Sequence, residues 1–557
     1  MTRDEIVAVF ESIADIMQIR GDEPGKIKMY RNLAITLSYA LPDEIQPPFD
    51  QSNLPKIQGV GPSTIEKITE LVDTGRCTYY EELKASIPSG VLDLMSINGV
   101  GPSTTSKLYH ELDIDSLATL QKAIDNQRLR NLKGMGKKTE EKIKLGLEAL
   151  MRHKQIRLMG YVLPVVESIV EELKESGFEV SIVGDLRRRT ETVKDAQILV
   201  ASSDFAKIHD AIMNMELVDN VYPDWNENGG SAKIIGDTEL KVILTDSQHF
   251  GLSLITSTGS EAHIAGLNQL GLDLNLYKGK SEKDIYTELK LPFIVPELRE
   301  GSGEIESAVS GKLPDLIELS DIRGDLHVHS NWSDGHEPIA AMAEFAKKMG
   351  YEYVTISDHS ISSKIANGLD VERILNKMIE VREINEKIDG IEILMGAEVD
   401  ILKEKLDYPD SILEKLDVVI ASVHSGFNMG ESEMTKRIIK AVENDFVHII
   451  GHLTGRLLGR RDPYAVNVDA VIDAVAENGK SFEINAYPDR LDLKDVHIRK
   501  AKDKGILLTI NTDAHSISDL RFMEYGICTA RRGWLEKKDV LNTQSLPKLM
   551  AWLQRKA

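Results

Sequence analysis

Cysteine is nearly absent: Cys77 and Cys528, far apart, are the only two in 557 residues. A disulfide scaffold and a thiolate metal cluster are both excluded, and the scarcity suits a reducing compartment. Long apolar runs are missing too, since none approaches the ~20 residues that span a bilayer. The N-terminus, MTRDEIVAVFESIADIM, mixes acids into an amphipathic helical pattern without a small-residue cleavage site, which argues against an export signal. Net positive charge is lacking as well. The formal total is −22, which at first reading speaks against a nucleic-acid partner. The charge is unevenly spread, however: residues 1–150 carry 18 basic and 22 acidic side chains, residues 151–320 carry 17 and 28, and residues 321–557 carry 32 and 39. Affinity for phosphate follows the local field, so the total decides little. With 42% hydrophobic and 28% charged residues, the length predicts three or four globular domains. The expectation is a cytoplasmic, multidomain protein, monomeric and without a membrane partner.

Apolar residues at helical spacing in EIVAVFESIADIMQI and YRNLAITLSYAL predict two helices in the first forty residues. Three similar segments follow: QGVG before PSTIEKITELV, NGVG before PSTTSKLYHEL, and KGMG before KKTEEKIKLGL. In each, two glycines permit a tight turn that presents backbone N–H groups at a helix N-terminus, where the helix dipole also favours an anion. Such a turn holds a phosphate oxygen of a nucleic-acid backbone without reading sequence. One copy is a weak signal, because ordinary helix caps use the same residues. Three copies, with Lys67, Lys107 and the group Lys137, Lys138 and Lys142 at similar offsets, point to DNA backbone contact. The candidate contacts are Gly59, Gly61, Gly99, Gly101, Gly134, Gly136, Lys137 and Lys138.

From about Tyr161 strands alternate with helices (VSIVGDL, AQILVAS, ELKVILT), residues 273–306 read as a small mixed module, and GKLPDLIELS as a linker. After Asp321 short strands and helices repeat, a pattern that predicts a parallel α/β barrel. Nine of the 14 histidines fall in this last part. His327 and His329 end one strand, two apart and so on one side of it, and Asp334 follows on the next loop. Asp358-His359 ends YVTISDH, Glu398 lies in ILMGAEVD, His424 ends VVIASVH, His452 ends VHIIGH, and Asp513 with His515 ends LLTINTDAH. In a parallel barrel such strand ends converge on one face, where these folds place chemistry. Imidazole and carboxylate donors without thiolate suit zinc, manganese or iron(II). The nine positions His327, His329, Asp334, His359, Glu398, His424, His452, Asp513 and His515 exceed the needs of one ion. Two or three ions are implied, with Glu398 as the natural bridge. His336, His448 and His497 fall outside the pattern and read as surface or packing residues.

HVHS, SDH, GAEVD, SVH, IGH and TDAH resemble the successive motifs of the polymerase-and-histidinol-phosphatase (PHP) domain, a distorted α/β barrel with a trinuclear metal centre. The resemblance implies one ion on His327, His329, Glu398 and Asp513, a second on Glu398, His424 and His452, and a third on Asp334, His359 and His515. It implies phosphoester hydrolysis, with Mn²⁺ or Zn²⁺ and Glu398 and Asp513 as catalytic carboxylates. Candidate phosphate clamps are Arg456, with Arg460 and Arg461, in GHLTGRLLGRRDPY, and Arg490 in NAYPDRLDL, because the guanidinium fork fits phosphate.

Together with the hairpins, and with GDEPGKIKMYRNLA, STGSEAH and PFIVPELREGSGEIE, nearly the whole chain resembles the bacterial and archaeal family X DNA polymerases that carry a C-terminal PHP domain. The fold class implied is multidomain, beginning with a helical helix-hairpin-helix region. An α/β nucleotidyltransferase-like palm, a small α+β thumb and the PHP barrel follow. The corresponding segments are 1–85 (8-kDa-like, first hairpin), 86–150 (fingers, two hairpins), 151–248 (palm), 249–310 (thumb), 311–320 (linker) and 321–557 (PHP).

The palm departs from the family pattern. Where the family has Asp-x-Asp and a third aspartate, which hold two Mg²⁺ ions, this chain has Asp195-Ala196-Gln197 and Glu239. Gln197 keeps the shape of a carboxylate without its charge, and Glu239 is a methylene longer at a position that tolerates little displacement. Gly184-Asp185 stands where the family has a Gly-Ser phosphate loop, and Ile264 and Asn268 replace an Asn and an Arg. Templated nucleotide addition and Mg²⁺ at the palm are therefore not expected, although Arg187, Arg188 and Arg189 remain to hold backbone. The expected activity is metal-dependent 3′→5′ removal of nucleotides or blocked 3′ ends from gapped or single-stranded DNA. The rivals are an active gap-filling polymerase with a PHP nuclease, a DNA-binding platform without catalysis, and a small-molecule PHP phosphatase.

Overall fold

The computed structural model describes residues 1–555 except 2, 42–44, 46–59, 98, 237 and 274–275, in two units, Met1–Lys154 and Gln155–Ala557. The first is helical in its described residues. Helices Arg3–Arg20, Pro24–Ala40 and Pro62–Thr74 bury Phe10, Leu37 and Leu71 in one core. Helices Pro102–Leu112, Leu117–Asp125 and Lys137–Gln155 bury Leu108, Leu120 and Leu147 in a second. Pro62 and Pro102 open their helices at the position where a missing N–H costs nothing.

The second unit begins with a five-stranded sheet: β1 (Glu179–Val183), β2 (Ala196–Ala201), β3 (Val218–Val221), β4 (Gly229–Ile234) and β5 (Thr238–Thr245). Its order is β1-β2-β5-β4-β3, with β2 and β5 parallel and the other pairs antiparallel. Helices Met159–Glu175 and Phe205–Met213 cover one face with Val166, Ile169, Ile208 and Ile212. Residues 249–310, expected to mix helix and strand, are helices and turns, with no strand among the described residues. The run LPFIVPEL carries Pro292 and Pro296, which remove two backbone donors that a β-ladder would need.

Seven parallel strands form the last layer: β6 (Gly324–Val328), β7 (Tyr353–Ile356), β8 (Glu392–Asp400), β9 (Val418–Ser422), β10 (Ile449–Ile450), β11 (Ser481–Asn485) and β12 (Leu508–Asn511). Each pairs with its sequence neighbour. The sheet nearly closes on itself: the N–H of His329 donates to Ala514 O at 2.8 Å, and that of Asp513 to His327 O at 3.0 Å. Both faces are buried, as the continuous apolar runs require. On β11, Phe482 and Ile484 pack under the outer helices, while Ser481, Glu483 and Asn485 alternate to the opposite face. Residues 311–320 are docked rather than free, with the Ile317 side chain in the barrel core and its N–H on Leu535 O. His448 is a packing residue, its ring bonded to the Val419 N–H and to Leu553 O.

Barrel and sheet share one interface. Leu491 and Tyr525 from the barrel are buried in the core of the five-stranded sheet, and Trp534 in that of residues 249–310. Arg532 pairs with Glu300 (2.7 Å) and Asp495 (2.7 Å), and Arg531 with Glu297 (2.7 Å).

Candidate metal centre

The C-terminal ends of the barrel strands bring the expected donors together. Three sets have donor atoms all within 4.8 Å of one another: His327, His329, Glu398 and Asp513; His329, Asp334, His359 and His515; and His359, Glu398 and His424. Glu398, buried on β8, is the hub. Its Oε1 lies 2.9 Å from His452 Nε2 and 3.2 Å from His424 Nε2, and its Oε2 lies 2.9 Å from His359 Nδ1 and 3.5 Å from His327 Nε2. Asp513 Oδ1 stands 3.0 Å from His329 Nε2 and 3.5 Å from His327 Nε2. Asp334 reaches His515 at 3.5 Å and His359 at 3.6 Å. Compared with the sets implied by resemblance, His359 stands next to the second and His329 next to the third. His452 lies outside all three, and meets the centre through Glu398 and through ring contacts with His424 and His327.

The chemistry of this donor set fits divalent cations. His327 Nε2, His329 Nδ1 and His452 Nδ1 are buried without a hydrogen-bond partner, an arrangement that costs free energy unless something takes up their lone pairs. Donor atoms that share an ion at about 2.1 Å stand about 3.4 Å apart, the spacing of several pairs here. Charge points the same way. Burial works against ionisation of Glu398, yet the imidazoles of His424, His359 and His327 outweigh it and hold its carboxyl well below the usual range. Burial likewise opposes Asp513, and His327, His329 and Arg490 keep it ionised. Both carboxylates are therefore ionised where the imidazoles converge.

Further carboxylates brace the imidazoles. Glu483 on β11 lies 2.6 Å from His327 Nδ1, while its other oxygen accepts the backbone N–H of His452 at 2.9 Å. Asp400, two residues beyond Glu398 on the same strand, takes His424 Nδ1 at 2.7 Å. Such partners fix the tautomer and orientation of a ligating ring. Sequence reading missed both, although strand alternation carried the signal: Glu483 shares the parity of Ser481 and Asn485, and Asp400 that of Glu398. Another buried pair, Asp358 and Lys377 (3.1 Å), anchors Ser330 and Ser333 beside the histidine strand.

Of the candidate clamps, Arg490 joins the cluster, with Nε 3.3 Å from Asp513 Oδ2. Arg456 does not: its guanidinium is committed to Glu191 and to the carbonyls of Arg490 and Leu491, so its fork is unavailable to phosphate. Arg461 donates to Gly455 O and stacks on Phe427, and Arg460 pairs with Asp489.

Asp195, Gln197 and Glu239 belong to none of the converging sets found among the described residues. Asp195 is instead 2.6 Å from Lys241 Nζ, and this bond raises the lysine's pKa. Lys241 is the register partner of Gln197 across the β2–β5 pair. An ammonium thus stands beside the one aspartate left in that motif. Arg187, Arg188 and Arg189 are likewise engaged, with Glu282, with Asp185 and Glu300, and with Glu167.

In the first unit, Gly99 and Gly134 adopt φ of 86° and 87°, the left-handed conformation a Gly-x-Gly hairpin needs. Gly61, Gly101 and Gly136 precede helix starts with open space where a side chain would be. Gly59 lies outside the described residues. Lys137 and Lys138 are exposed. The second and third hairpins face one another's lysines: a Cβ on Gly99 would stand 3.0 Å from Lys142 Cε, and one on Gly134 3.7 Å from Lys107 Nζ. Substituting Lys107 and Lys142 together by alanine is expected to lower the slope of log affinity for DNA against log salt by about 2, read by fluorescence anisotropy.

Residues 325–487 match the PHP domain family, 1–77 the helix-hairpin-helix domain, and 91–149 the SAM-like helix-hairpin-helix tandem. Over the full length of both chains the protein is 35% identical to the DNA polymerase/3′-5′ exonuclease PolX of Bacillus subtilis (strain 168). A probable phosphatase of Thermoanaerobacter sp. (strain X514) is 31% identical over 42% of this chain and 94% of its own length. Another, from Caldanaerobacter subterraneus, is 32% identical over 42% of this chain and 91% of its own.

Proposed function

The chain belongs to the family X DNA polymerases with a C-terminal PHP domain, and on that footing we propose that it shortens DNA from the 3′ end by metal-dependent phosphodiester hydrolysis. The observation that carries this reading is the gathering of five imidazoles, from His327, His329, His359, His424 and His452, around the buried carboxylate of Glu398. His327, His329, Glu398 and Asp513 hold one ion. Glu398, His424 and His452 hold a second, and Asp334, His359 and His515 a third. Mn²⁺ is the activator, with Zn²⁺ the alternative. Such ions bring the pKa of a water towards neutrality and offset the charge of the phosphate. Arg490 holds a non-bridging phosphate oxygen and so fixes the phosphorus against the centre. Glu483 and Asp400 keep the rings of His327 and His424 turned towards it. In the reaction, the bond from a water oxygen to phosphorus forms as the bond to the 3′ oxygen of the preceding nucleotide breaks. That oxygen takes up a proton, and the terminal residue leaves as a 5′-monophosphate.

The hairpins hold gapped or single-stranded DNA by its backbone, and the protein acts as a monomer in the cytoplasm. Segments 1–85, 86–150, 151–248, 249–310 and 321–557 serve as 8-kDa-like domain, fingers, palm, thumb and PHP domain. The palm adds no nucleotides, because Lys241 neutralises Asp195 and Gln197 brings no charge to a metal.

A second reading, a small-molecule phosphatase, is favoured by the two probable phosphatases, which match 42% of this chain over nearly their own whole length. One experiment separates these. Protein stripped with a chelator is given Mn²⁺ or Zn²⁺ with a 5′-labelled single strand, a primed template plus deoxynucleotides, or a sugar phosphate. A ladder shortening from the 3′ end, absent with His327→Ala and with chelator, is the expected result. Equal digestion by His327→Ala refutes the assignment of the centre, turnover of the sugar phosphate alone favours the phosphatase, and primer extension overturns the inert palm.

A further inference from the structure

The loop that bears Arg490 is held from outside the barrel. Tyr487 to Leu491 follows β11 and runs into the five-stranded layer: Pro488 packs on Gly160 of the helix Met159–Glu175, and Leu491 is fully buried in that layer's core. Leu491 has φ of +41°, a left-handed backbone that a branched residue keeps only when its surroundings impose it. Those surroundings are specific. Arg456 donates through Nε to Arg490 O at 3.0 Å and through Nη2 to Leu491 O. The same guanidinium is clamped by Glu191, whose two oxygens accept from Nη1 at 3.1 Å and from Nη2 at 2.7 Å. Lys494 approaches the same carboxylate at 3.8 Å. Glu191 lies 265 residues upstream of Arg456, and its own backbone is pinned by the Met159 N–H on its carbonyl.

We infer that Glu191 of the palm is a positioning residue for the barrel's hydrolysis, acting through Arg456 to set the backbone from which Arg490 reaches the phosphate. The inference rests on the reading of Arg490 as the phosphate-holding group. It gives a palm whose metal carboxylates are altered a working role, since the bidentate pair fixes both distance and angle. A phosphate group displaced by about an ångström loses one to two orders of magnitude in rate. The clamp itself makes no contact with a candidate ligand, so metal content is expected to stay within about twofold of wild type.

The test uses full-length protein with Mn²⁺ and a labelled single strand, comparing Glu191→Gln, Arg490→Lys and the double variant. Hydrogen–deuterium exchange of residues 487–493 is followed in the same proteins. Glu167→Gln, which breaks the exposed pair with Arg189 elsewhere on the palm, serves as control and keeps wild-type turnover. Glu191→Gln is expected to lower kcat about tenfold with KM within about twofold, and to speed exchange in 487–493 but not in the barrel strands. Arg490→Lys is expected to lose about 100-fold, and the double variant to be no slower. Full kcat in Glu191→Gln, with or without faster exchange, overturns the inference, as does additive loss in the double variant. If Arg490→Lys keeps wild-type kcat, the reading of Arg490 fails and the inference with it. If only Arg490→Lys is impaired, the inference alone fails.

Discussion

Glutamine in place of Glu398 is expected to abolish hydrolysis of single-stranded DNA, by about 10³-fold or more, while the protein still folds. The substitution keeps the volume of a buried side chain on β8, so the packing around it survives. What it removes is the charge that five imidazoles face, from His327, His329, His359, His424 and His452. An amide supplies one oxygen donor where the carboxylate supplies two, and so cannot bridge cations on both sides. A loss of 10³ corresponds to about 4 kcal/mol of transition-state stabilisation, within the range that several displaced ion contacts supply. Single-turnover nuclease assays at saturating Mn²⁺, with metal content by elemental analysis, provide the check. Wild-type hydrolysis by a Glu398→Gln protein with its full complement of metal would remove the basis of the proposed function.

Glu483→Gln is expected to weaken metal affinity 10- to 100-fold, with a smaller loss of turnover once metal saturates. Glu483 touches no candidate ion site of its own. It accepts from His327 through one oxygen and from the His452 backbone through the other, and Asn485 and Asn511 also donate to it. All of its partners donate. A glutamine must turn an N–H₂ towards one of them, so either the His327 ring rotates or the His452 backbone N–H loses its acceptor. Chelator competition on the purified variant measures the effect. Unchanged affinity would mean that the ring of His327 is oriented by its packing and not by this carboxylate.

The barrel was legible because its information is local. Each strand is a short apolar run ending in a polar motif, and a motif such as HVHS or TDAH carries its donors at fixed parity from the strand axis. Glu398 read as a bridge between ions because it is a carboxylate within the motif GAEVD. The hairpins were equally plain: Gly99 and Gly134 occupy positions that only glycine fills without strain, so the residue type itself marks the turn. Glu483 and Asp400 were harder. An acid inside a strand looks like a solvent-facing residue until the facing strands close around it. Residues 273–306 read as a mixed module, yet Pro292 and Pro296 deny its apolar run LPFIVPEL the backbone donors of a strand.

The parallel barrel, the motifs that carry the candidate donors and the departure at Gln197 were legible in the sequence. They depend on residue type and on spacings of a few positions, which the linear text records directly. What Arg456 does was decided only by tertiary structure. In the chain it looks as well suited to phosphate as Arg490, yet folding sets it against Glu191, 265 residues upstream. The same holds for Lys241 beside Asp195, a contact made by the pairing of β2 with β5. An arginine or lysine binds whichever anion lies within a few ångströms, and Coulomb energy depends on separation in space, which the order of residues does not contain.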